Sequence, residues 1–277
     1  MIYSNSDITF NYEERGEGTP ILILHGNGPD HRMMMACLEP VFAEQERFRR
    51  IYVDLPGFGQ TPAAEWIKSS DDMLEAVKRM VQALIPGKRF AVVGQSYGGY
   101  LARGLVKDYG DLMNGIFLLC PCIIAEPSQR ELPEHQVVTC DEVFLAELGA
   151  EDRQEFCSIS VKQTREVWER YKQEVMVGLA LADETFMKGI RASGGYSFSE
   201  EIDDIPLFNQ PGLILNGRQD SMVGYKDACK LVDLYPKSVF AVLDEAGHNL
   251  HLEQVELFNG LTRDWLERVR SVATAEE

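Results

Sequence analysis

Short apolar runs of strand length alternate with longer amphipathic stretches along most of this 277-residue chain. Ile21–Leu24, Phe90–Val93 and Gly212–Leu215 are almost continuously apolar. Such runs are typical of strands in a parallel sheet, because crossover helices cover both faces and bury both sets of side chains. The order strand, helix, strand therefore predicts an α/β fold with a mostly parallel, eight-stranded sheet and helices on both faces.

The same periodicities predict the individual elements. Strands are expected at Ile8–Tyr12, Ile21–Leu24, Arg50–Val53, Phe90–Val93, Gly115–Leu119, Gly212–Leu215 and Val239–Leu243. Helices are expected at Met33–Glu46, Tyr97–Tyr109, Tyr225–Leu234 and Leu250–Val269. A further helix is expected to be capped within Ser69–Asp72 and to run to Leu84, with one apolar face.

The segment from Pro121 to Leu207 breaks this rhythm. It is rich in helix-forming and acidic residues and contains no convincing buried strand. We therefore expect an α/β core made of residues 1–120 and 208–277. Residues 121–207 are expected to be inserted into this core as a helical cap, or lid, above the sheet.

The charge balance argues against nucleic acid as a partner. The chain has 27 basic and 44 acidic residues, a formal net charge of −17, and no block of Lys and Arg that would release counterions from a polyanion. Its first residues contain no basic region followed by an apolar stretch, and its longest apolar runs are too short to span a bilayer. We expect a cytoplasmic protein without a membrane partner, and its oligomeric state stays open.

The six cysteines have no spacing that resembles a disulfide framework. In a chain that is expected to be cytoplasmic, they are predicted to be reduced thiols, mostly packed in the core. Cys120 and Cys122 form a Cys-x-Cys pair, but no second pair of ligands accompanies them. No metal and no cofactor is therefore predicted.

The most informative motif is the segment Gly94–Gly99, which has the form G-x-S-x-G-G. It follows an apolar strand directly and begins a helical stretch, which is the context that a nucleophilic serine at a strand-to-helix turn requires. Gly94 and Gly98 lack the Cβ atoms that would collide in so tight a turn. Ser96 would then project its hydroxyl at the carboxyl edge of the sheet, where the helix N-terminus can stabilise a developing oxyanion.

Further segments accompany this motif, each after a predicted strand: His25–Gly28, Asp54–Gly59, and Asn216–Asp220 with Ala246–His248. With them the chain resembles the α/β-hydrolase fold superfamily, in its capped, single-domain branch, over nearly its whole length. The resemblance implies that the backbone N–H groups of Asn27 and Tyr97 bind the oxyanion. His25 is expected to be a structural hydrogen-bonding residue, and Asp54 is expected to order its own loop.

A serine hydroxyl needs a general base within hydrogen-bond reach. Of the five histidines, His248 follows a predicted strand in a short loop at the sheet edge that carries Ser96. His251 is the alternative, in the first turn of the last predicted helix. His31 and His135 are expected to be solvated, so the context favours His248 as the base.

The base also needs a carboxylate that fixes its tautomer and stabilises the imidazolium. Asp220 lies in the loop after the strand Gly212–Leu215, and the chain order Ser96, Asp220, His248 is the order expected for this fold. Asp244 is the competing carboxylate, but its position directly after a strand is more typical of a solvated loop acid. The sequence therefore predicts a triad of Ser96, Asp220 and His248.

These residues predict hydrolysis through an acyl-enzyme on Ser96. The expected substrate is a small ester, with a lactone, amide, thioester or activated carbon–carbon bond as alternatives. A serine at this turn disfavours haloalkane dehalogenase and epoxide hydrolase chemistry, which uses an aspartate there in related families. A cofactor-free perhydrolase or lyase could use the same triad, and a non-enzymatic receptor for a small ligand could use the same fold.

The cap is expected to cover the active-site cleft and to select the substrate. Residues 121–207 carry 18 acidic and 8 basic residues, so we expect neutral or cationic substrates rather than anions. A buried Arg191 or Arg218 that pairs with a carboxylate would reverse this preference. Four bulky residues are candidates either for lining the pocket or for packing in the cap's own core: Trp168, Tyr171, Met176 and Phe186.

Overall fold

The computed structural model of the chain describes residues 1–5, 7–43 and 45–275. Eight of its strands form one sheet, in the order β1-β2-β4-β3-β5-β6-β9-β10, and β7 pairs with β8 outside this sheet. The strands are β1 (Ile2–Ser4), β2 (Thr9–Arg15), β3 (Thr19–Leu24), β4 (Phe48–Val53), β5 (Phe90–Gln95), β6 (Met113–Leu119), β7 (Thr139–Cys140), β8 (Lys162–Gln163), β9 (Gly212–Gly217) and β10 (Ser238–Leu243). The ladders β1–β2 and β2–β4 are antiparallel and the other ladders of the large sheet are parallel, which confirms the predicted α/β fold.

Some of the described helices pack on the two faces of the sheet, and others lie within residues 121–207. The described helices are α1 (His31–Phe42), α2 (Ser70–Leu84), α3 (Tyr97–Tyr109), α4 (Glu142–Leu145), α5 (Ala150–Ile159), α6 (Arg165–Tyr171), α7 (Val177–Leu179), α8 (Glu184–Ala192), α9 (Leu231–Leu234), α10 (Leu250–Glu253) and α11 (Val255–Ala275). The helix α3 packs against β5 and β6 and also contacts α2. The helices α1 and α11 pack together, α1 against β3 and β4 and α11 against β6 and β9. Because both faces are covered, β5, β6 and β9 are buried along their whole length.

Several boundaries differ from those predicted. The helix α1 ends at Phe42 rather than at Glu46, and the stretch expected to be helical from Tyr225 contains a 3₁₀ turn and the short α9. The last helical stretch is interrupted at Gln254, whose backbone is not helical and whose side chain donates to Asp244 O at 2.6 Å. The strand Ile2–Ser4 was not predicted, because three residues on the edge of a sheet give too little alternation to detect.

Residues 121–207 contain α4 to α8, a π-helical turn at Lys172–Met176 and the small β7–β8 ladder, and none of their described residues joins the large sheet. Trp168 and Tyr171 are buried with Phe156, and the ring centroids lie 5.3 and 5.7 Å from that of Phe156. These three aromatic residues therefore pack against one another, and they are continuous with the hydrophobic core around the sheet. The division into an α/β core and a cap remains our proposal.

The carboxyl ends of β3, β4, β5, β9 and β10 meet at one edge of the sheet, because these strands run parallel. The loops that leave this edge contain the residues that the sequence predicts to be functional.

No helix among the described residues is long and apolar enough to cross a membrane. All six cysteines are free, and the side chains of Cys37, Cys120 and Cys122 are buried, so only half of them lie in the core.

Candidate active site

Ser96 forms the turn between β5 and α3. Its backbone angles are φ +50° and ψ −113°, which residues other than glycine rarely adopt. Close packing holds the turn: a Cβ atom at Gly94 would lie 2.4 Å from Gly98 O, and one at Gly98 would lie 2.5 Å from His25 O. The two glycines are therefore required by contact between backbone segments, as the motif predicts.

Asp220 and His248 meet although they come from different loops, after β9 and after β10. Asp220 Oδ2 lies 2.9 Å from His248 Nδ1. The other oxygen, Oδ1, accepts the N–H groups of Met222 at 2.9 Å and Val223 at 3.0 Å. This carboxylate is fully buried, so its orientation is fixed by these donors. An Nδ1–H that donates to Asp220 leaves the lone pair of His248 on Nε2.

The competing carboxylate, Asp244, is exposed and is used elsewhere. Its Oδ1 accepts Gln219 Nε2 at 2.8 Å, and this hydrogen bond lowers the pKa of Asp244. The other end of the Gln219 amide accepts the Ala246 N–H at 3.1 Å. Asp244 therefore helps to tie the two loops together, and Asp220 is the carboxylate that contacts His248.

The alternative base, His251, lies in α10 and is buried. Neither of its ring nitrogens has a hydrogen-bond partner in the described part of the chain. Burial lowers the pKa of His251 to about 3, because the charged imidazolium would lose its hydration. The structure therefore does not bring His251 to a carboxylate.

Two other histidines lie near the same edge of the sheet, His25 in the loop after β3 and His31 at the start of α1. His25 is buried, its Nε2 accepts the Leu55 N–H at 2.9 Å, and its Nδ1 lies 2.7 Å from Gly26 O. These contacts fit the structural role expected for it. His31 Nδ1 lies 2.7 Å from Asp54 Oδ1. The prediction that His31 is solvated is wrong, because α1 begins next to the loop that carries Asp54.

The backbone N–H groups of Asn27 and Tyr97 are available for a ligand oxygen. Tyr97 is the first residue of α3, where the helix itself does not use the N–H group. Within the described ranges, no protein acceptor takes either N–H. The Asn27 loop also lies close to the serine, since a Cβ atom at Gly26 would lie 3.0 Å from Ser96 Cβ.

The sequence did not indicate two polar residues that contact the His248 loop. Gln95 Nε2 lies 3.3 Å from His248 Nε2, so in this structure that nitrogen faces Gln95 rather than Ser96. The Glu253 carboxylate accepts the N–H groups of Gly247 at 2.6 Å and Val161 at 2.8 Å, and burial raises its pKa. Gln95 occupies the variable position of the serine motif, and Glu253 follows an ordinary helical pattern, so neither gave a signal.

Among the described residues, two groups of side chains have possible metal-ligand atoms within 4.8 Å of one another: Cys120, Asp220, His248 and Asp30, His31, Asp54. Cys122, the other half of the Cys-x-Cys pair, belongs to neither group. Asp220 and Asp54 already accept several hydrogen bonds. The carboxylates of both groups therefore serve in hydrogen bonding.

Residues 19–255 match the family model described as the alpha/beta hydrolase fold. This range is more than half of the chain and includes every loop of the site. The chain belongs to the α/β hydrolase fold family. Membership confirms the resemblance drawn from the sequence motifs.

Relatives in this family support a hydrolase. An α/β superfamily hydrolase from Oenococcus oeni PSU-1 is 31% identical, with a TM-score of 0.88, over 98% of this chain and 99% of that one. A 2-hydroxy-6-oxo-6-(2'-aminophenyl)hexa-2,4-dienoic acid hydrolase from Metapseudomonas resinovorans is 23% identical over 95% of this chain and 89% of its own length. A pimeloyl-[acyl-carrier protein] methyl ester esterase from Legionella pneumophila (strain Paris) is also 23% identical, over 91% of this chain and 96% of its own length.

Proposed function

We propose that this chain is a serine hydrolase in which Ser96 is the nucleophile, His248 the general base and Asp220 the carboxylate that orients the base. The observation that carries the proposal is the 2.9 Å contact between Asp220 Oδ2 and His248 Nδ1, beside a serine at φ +50°. The lone pair on His248 Nε2 can accept the serine proton. We expect the contact between Ser96 and His248 to form with bound substrate, since catalytic hydrogen bonds are often long in an unliganded site.

The reaction proceeds in two halves. Ser96 Oγ attacks the substrate carbonyl while its proton passes to His248, and the N–H groups of Asn27 and Tyr97 stabilise the resulting oxyanion. Each such donor typically contributes about 3 to 4 kcal/mol to the transition state. His248 then protonates the leaving group, which departs and leaves an acyl group on Ser96. Water cleaves this acyl-enzyme in the second half, again with His248 as the base.

A small ester is the substrate that we propose, with lactone, amide, thioester or carbon–carbon bond cleavage as alternatives. A cavity of about 420 Å³ is lined by Asn27 and Gly28, which follow β3, and mostly by residues from 121–207, while Ser96 and His248 are not among its lining residues. Its lining is largely apolar, includes three carboxylates and includes no Lys or Arg of the described residues: Asn27, Gly28, Phe58, Glu155, Met176, Leu179, Ala180, Ala182, Asp183, Glu184 and Met187. Such a cavity favours an uncharged or cationic group over an anion.

Charge is the point on which one of these relatives differs from this proposal. The name of one relative gives a carboxylic acid as its substrate, and the name of another gives a methyl ester. The two arginines considered as carboxylate partners are both exposed and lie over aromatic rings, Arg191 over Tyr196 at 4.8 Å and Arg218 over Tyr225 at 5.4 Å. Neither lines the cavity, and this supports a neutral substrate.

The nucleophile is tested by covalent labelling. The wild-type protein is incubated with a fluorophosphonate, and the adduct is located by mass spectrometry of peptides. We expect one adduct, on Ser96, and at least about a thousandfold loss of ester turnover in a folded Ser96→Ala variant. A protein that binds ligands without catalysis would form no adduct. An unlabelled Ser96, or near-normal turnover in the variant, would refute the proposal.

The charge preference is tested with a neutral ester and its carboxylated counterpart at low and high salt. We expect kcat/KM to be several-fold lower for the anion, with the difference shrinking as salt screens the acidic segment over about 8 to 10 Å. Equal rates, or faster cleavage of the anion, would contradict the preference for neutral substrates without affecting the assignment of the nucleophile.

A further inference from the structure

The side-chain amide of Gln95 lies at the centre of the candidate site. It is buried, with 2% of its surface exposed. Its Nε2 lies 3.3 Å from His248 Nε2, the atom that takes and returns the proton in the proposed reaction. Since Nδ1–H of His248 donates to Asp220, the Gln95 amide donates to the lone pair on Nε2. Gln95 therefore contacts a reacting atom and is not merely packed nearby.

The other end of the amide has no partner. Gln95 Oε1 is buried, and none of the described residues donates a hydrogen bond to it. It lies against the loop His25–Gly28, 2.1 Å from the position that a Cβ atom at Gly26 would take. A buried carbonyl oxygen without a donor is unfavourable. In an active site, such an oxygen is completed by a water molecule or by a donor group of the substrate.

The contact with His248 and the unpartnered Oε1 together point to the second half of the reaction. We propose that Gln95 positions the water molecule that cleaves the acyl-enzyme; this inference rests on the proposed function. The amide turns aside once Ser96 is acylated, and water takes its place beside His248. One hydrogen of the water is donated to His248 Nε2 and the other to Gln95 Oε1. The remaining lone pairs of the oxygen are then free to attack the acyl carbon on Ser96.

The step balances without any further reagent. The water oxygen forms a bond to the acyl carbon, and its proton passes to His248 Nε2. The tetrahedral intermediate then collapses, the bond between the carbon and Ser96 Oγ breaks, and His248 returns the proton to Ser96. Gln95 exchanges no proton in either step. Its contribution is the orientation of the water, and a misplacement of about 1 Å can cost on the order of a hundredfold in rate.

The test separates the acylation of Ser96 from the hydrolysis of the acyl-enzyme by water. Gln95→Leu and Gln95→Met replace the amide by apolar groups of similar size, so a failure of one to fold leaves the other available. Asn249→Leu is the matched control, because Asn249 is also a buried amide with an unpartnered nitrogen, directly after His248. All variants are mixed rapidly with p-nitrophenyl acetate, and acetylation of Ser96 is followed by mass spectrometry.

In the Gln95 variants we expect a burst of about one nitrophenolate per active site, followed by a steady rate about tenfold to a hundredfold below that of the wild type. Acetylated Ser96 should accumulate. Values of kcat and KM should fall together, which leaves kcat/KM within about threefold of wild type, because only the water step is slowed. The Asn249→Leu variant should show neither accumulation nor this pattern.

Other results would overturn the inference. If kcat/KM falls as much as kcat and no acyl-enzyme accumulates, Gln95 acts on binding or acylation instead of on the water. If the Gln95 variants have wild-type kinetics, the amide has no part in the reaction. A failure of the proposed function would look different, because wild-type Ser96 would then form neither a fluorophosphonate nor an acetyl adduct.

Discussion

The carboxyl edge of the sheet carries two histidine–aspartate pairs, His248–Asp220 and His31–Asp54. Each pair joins the loops after two neighbouring strands, β10 and β9 in the first case and β3 and β4 in the second. In both pairs Nδ1 meets a fully buried carboxylate, at 2.9 Å and at 2.7 Å. A close contact between imidazole and carboxylate is therefore not sufficient to identify a catalytic pair.

The surroundings of the two pairs differ. Asp54 also accepts Asn11 Nδ2 at 2.8 Å and the Gln60 N–H at 2.9 Å, and a Cβ atom at Gly59 would lie 2.4 Å from its carboxylate. Burial alone would raise the pKa of Asp54, but the hydrogen bonds from His31, Gln60 and Asn11 hold it well below its usual range. The carboxylate of Asp54 therefore fixes the conformation of its own loop, and His31 is one of several residues that donate hydrogen bonds to it.

His248, in contrast, has its second nitrogen at the serine turn, where it contacts Gln95. In the strand order, the turn after β5 lies between the two pairs. Among the hydrogen bonds of the described residues, the one between either imidazole and this turn is made by His248 Nε2. The comparison teaches that the position of the imidazole relative to Ser96 separates the proposed catalytic pair from the structural one.

The largest expected effect is the contrast between Asp220→Asn and Asp54→Asn. The first removes the acceptor that fixes the tautomer of His248, so turnover of a wild-type ester substrate should fall on the order of 10⁴-fold in a protein that still folds. The second should lower the melting temperature by several degrees, because it removes a buried acceptor of several donors. Turnover per folded molecule should then change only a few-fold. Similar losses of turnover in both variants would erase the distinction between the pairs.

A smaller effect is expected at His251, a histidine without a carboxylate. Its pKa of about 3 in the folded protein lies below the ordinary value of 6.5, so between these values the unfolded chain binds a proton that the folded protein does not. Acidification through this window therefore favours unfolding. The substitution His251→Phe removes this contribution. As the pH is lowered from 7 to 4.5, the melting temperature of the variant should therefore rise by a few degrees relative to that of the wild type.

The control for this prediction is activity at neutral pH. If His251 is not the base, the His251→Phe variant should keep kcat within a few-fold of wild type, whereas His248→Ala should lose at least about a thousandfold. A melting difference that is the same at every pH would show that the buried ring does not titrate as described. A greater loss in the His251 variant would move the base to position 251.

The smallest effect is expected at Asp244, a carboxylate without a histidine. Asp244→Asn keeps an oxygen that can still accept Gln219 Nε2, so the link between the two loops should persist. Turnover should stay within about threefold of wild type, because substitutions of exposed residues usually have small effects on the folded structure. The steady-state turnover of Asp244→Asn is compared with that of Asp220→Asn. A larger loss in Asp244→Asn than in Asp220→Asn would assign the acid to Asp244.

Much of this arrangement could be predicted from the sequence, because it follows from strand order. Once apolar runs indicate a parallel sheet, residues that directly follow strands must lie at one edge, and this brought Ser96, Asp220 and His248 into one hypothesis. The tight glycines around Ser96 were predictable for a similar reason, since backbone contact excludes a Cβ atom wherever the turn forms. The identities of these residues as a catalytic triad remain a proposal.

The contacts that the sequence did not predict depend on loop conformation. The residues His31 and Asp54 are 23 positions apart in the sequence, and no spacing pattern relates them. The path of the loop after β4 brings them together. The direction of the Gln95 side chain likewise depends on where Gly26 leaves space. The helical spacing of apolar residues predicts that Glu253 lies in a helix, but it does not show from which backbone N–H groups the carboxylate accepts hydrogen bonds. Such contacts are specified by three-dimensional packing rather than by spacing along the chain.

The Glu253 carboxylate has a consequence for protein engineering. It binds the Val161 and Lys162 N–H groups with one oxygen and the Gly247 N–H with the other. A chimaera that exchanges residues 121–207 for the segment of a relative would have to supply donors at both of those positions. Otherwise a buried carboxylate would lose two of its three backbone donors, and the remaining donor, the Gly247 N–H, lies one residue before His248. Transplanting a new specificity into this scaffold would therefore also alter the loop of the proposed base, unless position 253 were redesigned with it.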